Sequence, residues 1–433
     1  MKWITFLIAS FALNVSAQPV PVEVVETDNG WRLLRGGEPY YIHGAGGDDH
    51  LELLNDLGGN SIRTWGAEQL EPREWPDGRV MSLPDRAHEL GLTICAGFWV
   101  QHPSGGYITG GFDYDNEEQV QGQIDEARKF VRKWKDHPAI LMWGVGNEAT
   151  GSDNRRAFIE LERIAKVFKQ EDPNHPTMTA IPGVWPNHGG LFKELCPSID
   201  ILGVNAYGGL PSVPQTLESQ GYTGPYVVTE YGPIGHWETA KTDWGAEVEQ
   251  TSAGKARTYV EFHRAGVSNM PRRALGAYIF LWGQKQERTE TWYGMFLKSG
   301  EKTATVDAMA RIWQDDPKLE LDNHAPLVEA LETPIAMSYV EGGVVVRAHV
   351  DVTDPDRDRL TVRWVVRSES TDKKMGGAYE RQPGDVDGVI ESASGLTARV
   401  RIPEEPGPYR LFAYVYDGKG AAGTANVPFF VKE

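Results

Sequence analysis

A (β/α)₈ barrel followed by a small all-β sandwich of immunoglobulin type is the fold class the sequence predicts. Three observations predict it. Eight short apolar, β-branched runs recur over roughly 280 residues with helical patterns between them, the length and rhythm of a closed barrel. These runs are continuously apolar rather than alternating, as strands of a parallel sheet covered on both faces must be. Beyond Pro334 the helical period disappears, and alternating runs separated by turn residues take over. A doubly wound open sheet is the competing arrangement. It is disfavoured because "HGAGGDDH", after the first run, is not the Gly-rich phosphate loop such sheets carry.

Residues 1–17 combine one Lys, an apolar run and the small-residue end Val15-Ser16-Ala17. They predict a secretory signal peptide cut after Ala17, and so an exported protein, periplasmic or secreted. Next, "VEVVETDNGWRLLRGGEPYYIHGAGG" predicts short strands joined at Asn29-Gly30 and Gly36-Gly37. The eight barrel runs are residues 40–44, 60–65, 92–100, 139–146, 177–181, 199–205, 226–230 and 275–282. Between them, "HLELLNDLG" ends in Gly and "PDRAHELGL" opens with Pro, the usual helix stop and start. "EEQVQGQIDEARKFVRKWKDHP" and "NRRAFIELERIAKVFKQEDP" space apolar residues by three and four and stop before Pro. "SAGKARTYVEFHRAGV" fills the gap before the last run. Residues 315–334, rich in Pro and acidic side chains, predict a linker. The expected domains are therefore a barrel over 18–322, with its N-terminal β-hairpin, and an immunoglobulin-like sandwich over 323–433.

Composition restricts the partners. Asp and Glu outnumber Lys and Arg 61 to 43, a net charge of -18. Nucleic acid and anionic membranes are poor partners for such a chain, because binding phosphates needs basic patches. The leader's apolar run is too short for a stable span, and no other run is long enough. Two cysteines, Cys95 and Cys196, imply no disulfide framework and are expected as buried thiols. No Cys/His cluster has zinc-ligand spacing, so neither a metal nor a cofactor is expected. Asp351, Asp354, Asp356 and Asp358 in "DVTDPDRDRL" have the oxygen ligands calcium takes, but Asp-rich turns between strands are commoner.

The fourth run, "AILMWGVGNEAT", ends in an amide and a carboxylate, Asn147 and Glu148, where a buried strand normally ends in turn residues. In a (β/α)₈ barrel the C-terminal strand ends form the active-site rim. The seventh run, "GPYVVTEYGP", repeats the design with Glu230. A single Glu after a strand is usually a solvated loop residue. Two at the same rim form a catalytic pair for acetal chemistry: one protonates the leaving oxygen, and the other attacks the sugar carbon or activates water.

"MWGVGNEA" resembles the acid/base strand of the clan A glycoside hydrolases, retaining (β/α)₈ glycosidases, and its spelling is closest to glycoside hydrolase family 2. "VVTEYG" resembles the nucleophile strand of that clan. Arg63 in "NSIRTWG" is similar to the clan's second-strand Arg, Tyr207 in "GVNAYGG" to the residue after its sixth strand, and Trp282 in "YIFLWGQ" to the eighth-strand Trp lining the sugar subsite. The resemblance covers residues 23–314. It implies a retaining β-glycosidase with Glu148 as general acid/base and Glu230 as nucleophile, and carboxyls about 5–5.5 Å apart. Asn147 is then expected on the sugar 2-hydroxyl, Arg63 paired with Glu230 to keep it ionised, and Tyr207 on the other side of Glu230. Glu148 needs an environment that holds its proton near neutral pH. Family 2 enzymes usually carry β-domains before the barrel, whereas here a hairpin precedes it and the β-domain follows. Their exo specificities are therefore not carried over, and a separate family of the clan is expected.

The partner expected is a β-linked carbohydrate, of β-glucan type from the habits of the clan and the 14 tryptophans. Asn205, Trp185, His236 and Trp237 complete the candidate sugar contacts, Trp237 because "GHWETAKTDW" follows Glu230 and is too polar for core. Trp65, Trp99 and Trp292 are further candidates, with core packing the commoner fate of a barrel Trp. Gln284 and Lys285 lie just past Trp282. Asp48, Asp49 and His50 either meet sugar hydroxyls or, for Asp49, cap the next helix. Two other readings share these residues: a transglycosylase using the same carboxylates, and a non-catalytic glycan-binding protein on a retired barrel. A scaffold or adhesion protein led by its β-domain is a third.

Overall fold

The computed structural model describes residues 18–103, 111–151, 154–374 and 376–433. The leader expected at residues 1–17 lies outside them. Eight parallel strands close into a barrel: Ile42–Gly46, Ser61–Arg63, Thr93–Phe98, Ile140–Asn147, Thr177–Pro182, Ile201–Asn205, Tyr226–Tyr231 and Ala274–Ile279. Each overlaps one of the eight runs expected from the sequence. The barrel closes where the eighth strand pairs with the first, Gly276 opposite Ile42 and Ile279 opposite Ala45.

The continuous apolarity of the strands has the expected cause. One side of each strand packs outward against helices: Trp143, Val145 and Ile181 share a cluster with Phe130, Phe158 and Phe168 of the two long helices Glu117–Trp134 and Arg155–Glu171. The other side fills the barrel with Leu141, Met178, Ile201, Val227 and Leu275. That inner cluster also holds Val22 and Leu33, because a three-stranded meander of Val22–Thr27, Gly30–Arg35 and Glu38–Tyr40 plugs the N-terminal mouth. It is bonded there through Val22 N to Asn174 O (2.7 Å) and Trp31 N to Arg272 O (2.8 Å). With one mouth plugged, only the C-terminal rim is open to a substrate. Cys95 and Cys196 are free and buried, as expected.

The C-terminal domain is a sandwich of two four-stranded sheets around a core of Val350, Trp364, Leu411 and Phe429. The linker expected over 315–334 is corrected: Leu327–Glu332 is a strand of the sandwich. Its buried residues, Val328 and Leu331, stand three apart across a β-bulge, so no period of two shows in the sequence. The last barrel helix, Ala304–Trp313, and this strand bracket the division expected at 322/323.

Sandwich and barrel meet through buried polar contacts. Arg367 pairs with Glu290 at 2.6 Å, Asn426 donates to Glu249 at 2.7 Å, and Arg410 bridges Glu369 and the Glu247 carbonyl, both at 2.8 Å. Such pairs fix orientation, because a partner moved away leaves a buried charge unmatched. The chain after the seventh strand does much of this: it crosses the open rim with His236 and Trp237, then enters the interface with Trp244, Glu247 and Glu249.

Gly276 is the residue the barrel seam depends on. It has φ +122°, and a β-carbon there would stand 2.2 Å from the Ile42 carbonyl oxygen. Gly276→Ala is expected to destabilise the fold by about 2–4 kcal/mol. A thermal melt of the variant checks this, and an unshifted curve would contradict a seam this tight.

Candidate active site

The fourth strand ends in an amide and a carboxylate because it leaves the sheet there. Gly146 (φ +83°) and Glu148 (φ +56°) are both left-handed. Gly146 has no room for a side chain, since a β-carbon would lie 2.8 Å from Leu161. Glu148 has one, and the conformation costs it about 1–3 kcal/mol, a strain typical of functional positions. Its backbone is pinned by Glu148 N to Ala180 O at 2.8 Å. The result aims Glu148 into the mouth of the barrel.

Glu230 reaches the same mouth from the seventh strand. Arg63 Nη1 donates to Glu230 Oε1 at 2.8 Å and to the Thr229 carbonyl at 2.8 Å. Trp65 Nε1 donates to Glu230 Oε1 at 2.8 Å, and Tyr207 OH to Oε2 at 3.1 Å. Arg63 Nη2 donates to Asn147 Oδ1 at 2.7 Å. Asn205 Nδ2 donates to that same oxygen at 3.1 Å and to Glu148 Oε1 at 2.8 Å. Thr229 fixes the orientation of this amide by donating to Asn205 Oδ1 at 2.7 Å. One unbroken chain of bonds thus joins Glu230, Arg63, Asn147, Asn205 and Glu148.

The two carboxylates differ in setting. Burial pushes the Glu148 carboxyl up to about 7, with the negative charge of Glu230 adding to the effect. The Asn205 bond and the charge of Arg63 oppose this rise without cancelling it. Glu230 instead faces a guanidinium that is itself buried. One group is held protonated near neutrality and the other is matched by a fixed cation, the division an acid/nucleophile pair requires.

Both carboxylates line a cleft of about 990 Å³. A second cavity, of about 980 Å³, lies outside the barrel among Ala253, Ala256 and Ala308 and reaches neither of them. Trp185 and Trp237 line the active cleft with 46% and 49% of their surfaces exposed, and Trp237 also meets Tyr207 and His236 at near-right angles. His236 is both a lining residue and a satisfied one: its Nδ1 meets Tyr293 OH at 2.8 Å. Burial lowers its pKa to about 3, so the ring is neutral. Trp65, Trp99 and Lys285 also line the cleft.

Other expectations are corrected. Trp282 is not a subsite residue. The eighth strand ends at Ile279, and Trp282 turns outward, wholly buried, against Phe296 and Trp313. Phe280 takes the place at the rim, edge-on to Trp65 and Tyr207. Trp292 is core, donating to the Ile234 carbonyl at 3.0 Å. Gln284 turns from the cleft to the Glu290 carbonyl. Asp48, Asp49 and His50 are not among the cleft-lining residues. The helix after them starts at His50 with no side-chain cap, so Asp49 does not cap it. Asp354, Asp356 and Asp358 do cluster, but Asp356 is taken by His324 and Asp358 by Lys419.

Sequence reasoning missed His102, whose Nε2 donates to the Asn147 carbonyl at 2.9 Å and supports the catalytic turn from below. It also missed Glu287, Arg288 and the sandwich residues Gly376, Gly377 and Ala378 in the cleft wall. A lone His and a Gly-Gly pair carry no signal until the fold places them.

Residues 89–236 match the model of the TIM barrel domain of the glycosyl hydrolases family 2. The resemblance expected from the two Glu-bearing strands is borne out over that span. The β-glucuronidase of Chlorocebus aethiops is 24% identical over 238 residues, covering 49% of this chain and 34% of that protein. That of Canis lupus familiaris is 27% identical over 188 residues, covering 41% and 26%. The chain thus spans no more than 34% of either relative. The solved β-D-glucuronidase of Dictyoglomus thermophilum aligns with a TM-score of 0.50 at 17% identity, over 69% of this chain and 54% of that one, a likeness of fold.

The raised Glu148 carboxyl has a consequence for stability. Its folded pKa, about 7, exceeds the unfolded one, so its contribution is complete below the unfolded pKa and is lost as pH rises through 7. Glu148→Gln, which keeps the bond from Asn205, is expected to raise the melting temperature relative to the natural protein at pH 8.5 and to give no gain at pH 4. Thermal melts at both pH values check this. A gain independent of pH would contradict the buried-acid assignment.

Proposed function

We propose that the chain is a retaining β-glycoside hydrolase. One observation carries the reading: a carboxyl held protonated near neutral pH and a guanidinium-bound carboxylate share one cleft at the open end of a (β/α)₈ barrel. Glu148 gives its proton to the glycosidic oxygen as that bond breaks, and Glu230 forms an ester bond with the anomeric carbon. Glu148, now ionised, takes a proton from water, whose oxygen displaces Glu230 from the sugar. The anomeric configuration is thereby retained. Carboxyls about 5–5.5 Å apart belong to this route. Asn147 has its side-chain oxygen occupied by Arg63 and Asn205, so its amide N–H groups are the ones offered to the sugar 2-hydroxyl.

The substrate we propose is a neutral β-linked glycan of glucan type. The relatives named above are β-glucuronidases, and a uronate needs an uncommitted cation in the cleft. Among the described residues, Lys285 pairs with Glu287 at 2.8 Å and Arg288 with Glu380 at 2.6 Å, which leaves the half-exposed Lys241, 3.6 Å from a Glu247 that Lys373 already holds at 2.7 Å, as the cleft cation a uronate could meet. Arg63 is committed to Glu230. The half-exposed rings of Trp185 and Trp237 suit the apolar faces of sugar rings instead. The leader-like residues 1–17 support an exported protein as part of the same proposal.

Glycans of β-1,2, β-1,3, β-1,4 and β-1,6 linkage, with aryl β-glucosides and β-glucuronides beside them, are the substrates to assay. Neutral glucosides are expected to be cleaved with retention, faster than glucuronides. Glu230→Gln is expected to lower kcat by about 10⁴-fold or more. Unchanged turnover in that variant would remove the mechanism. On aryl glycosides, kcat/KM of the natural protein is expected to fall as pH rises through about 7, where Glu148 loses its proton. A rate that rises across that range would remove Glu148 as the acid.

A further inference from the structure

We infer that the C-terminal sandwich is part of the substrate cleft, closing one end with Gly376, Gly377 and Ala378 and so limiting the length of glycan accepted. This rests on the glycosidase reading above.

The three residues line the same cleft as Glu148 and Glu230, although they belong to the other domain. Their approach to the barrel is close. Gly377 has φ +75°, and a β-carbon there would stand 2.8 Å from Lys285 Nζ. Glycine is therefore needed for its backbone conformation, while the Lys285 ammonium is the end of a flexible side chain that can give way. The segment is anchored on both sides. Glu380, buried, accepts from Arg288 N at 2.7 Å and from Arg288 Nη1 at 2.6 Å, and also from Lys374 N at 2.9 Å. Lys373 Nζ reaches Glu247 Oε2 at 2.7 Å.

These anchors sit on a domain that is itself fixed. Arg367 with Glu290, and Arg410 with Glu369 and the Glu247 carbonyl, are buried contacts whose loss would strand charges. The sandwich is thus a wall rather than a tethered module. Ala378 is exposed, so a larger side chain there enters the cleft without disturbing a core.

The test is Ala378→Trp in the full chain, assayed on β-1,3- and β-1,4-linked gluco-oligosaccharides of two to six units and on 2,4-dinitrophenyl β-glucoside. The ratio of kcat/KM for the six-unit substrates to that for the aryl glucoside is expected to fall about tenfold. Val344→Trp, at an exposed sandwich position outside the cleft, is expected to keep the natural ratio. A natural ratio in Ala378→Trp, with an unaltered melt, overturns the proposal while leaving the glycosidase reading intact. Should the tryptophan unfold the chain, Ala378→Gln is read in the same way. A natural protein that cleaves none of these, nor any β-1,2- or β-1,6-linked glucan, overturns the proposal together with the glucan reading it rests on.

Discussion

The Arg63 guanidinium is the contact on which the site depends. It is 2% exposed, and a charge that deep persists only when it is paired and hydrogen-bonded to fixed acceptors. It has three: Glu230, Asn147 and the Thr229 carbonyl. The same bonds that satisfy the cation orient one carboxylate directly and the other through Asn147 and Asn205. The second barrel strand is only three residues long, Ser61–Arg63, yet its last side chain sets the geometry of strands four, six and seven.

The rest of the fold keeps this arrangement open at one side and closed at the other. The N-terminal meander seals the far mouth. The crossing after the seventh strand lays His236 and Trp237 over the cleft and then ties the barrel to the sandwich through Glu247 and Glu249. The domain interface and the substrate cleft share residues, notably Glu247 and Arg288. Stability of the two-domain unit and shape of the cleft are therefore one problem.

Much of this was legible in the sequence. The eight strands could be read because a parallel sheet buried on both faces leaves continuous apolar runs, and Glu148 and Glu230 because a carboxylate ending such a run is anomalous. Arg63, Asn147, Asn205 and Tyr207 followed, and the structure brings all of them together. Trp282 misled, because the eighth run stays apolar past the end of its strand and sequence does not mark where a strand leaves the sheet. Leu327–Glu332 was hidden because a β-bulge spaces its buried residues, Val328 and Leu331, by three and breaks the period of two. Gly376, Gly377 and Ala378 were beyond reach, since their importance comes from a domain contact about 90 residues away in the chain from Lys285 and Arg288.

The central claim is that Glu230 attacks the anomeric carbon while Glu148 supplies the proton. Its most direct test is mechanism-based labelling. The 2-deoxy-2-fluoro derivative of an aryl β-glycoside that the protein turns over slows release of the glycosyl-enzyme, and mass spectrometry of the digested protein locates the sugar. One fluorosugar per chain is expected, on the peptide containing Glu230 and on that side chain. A label on any other residue, or turnover of the reagent with inverted configuration and no covalent adduct, would contradict it.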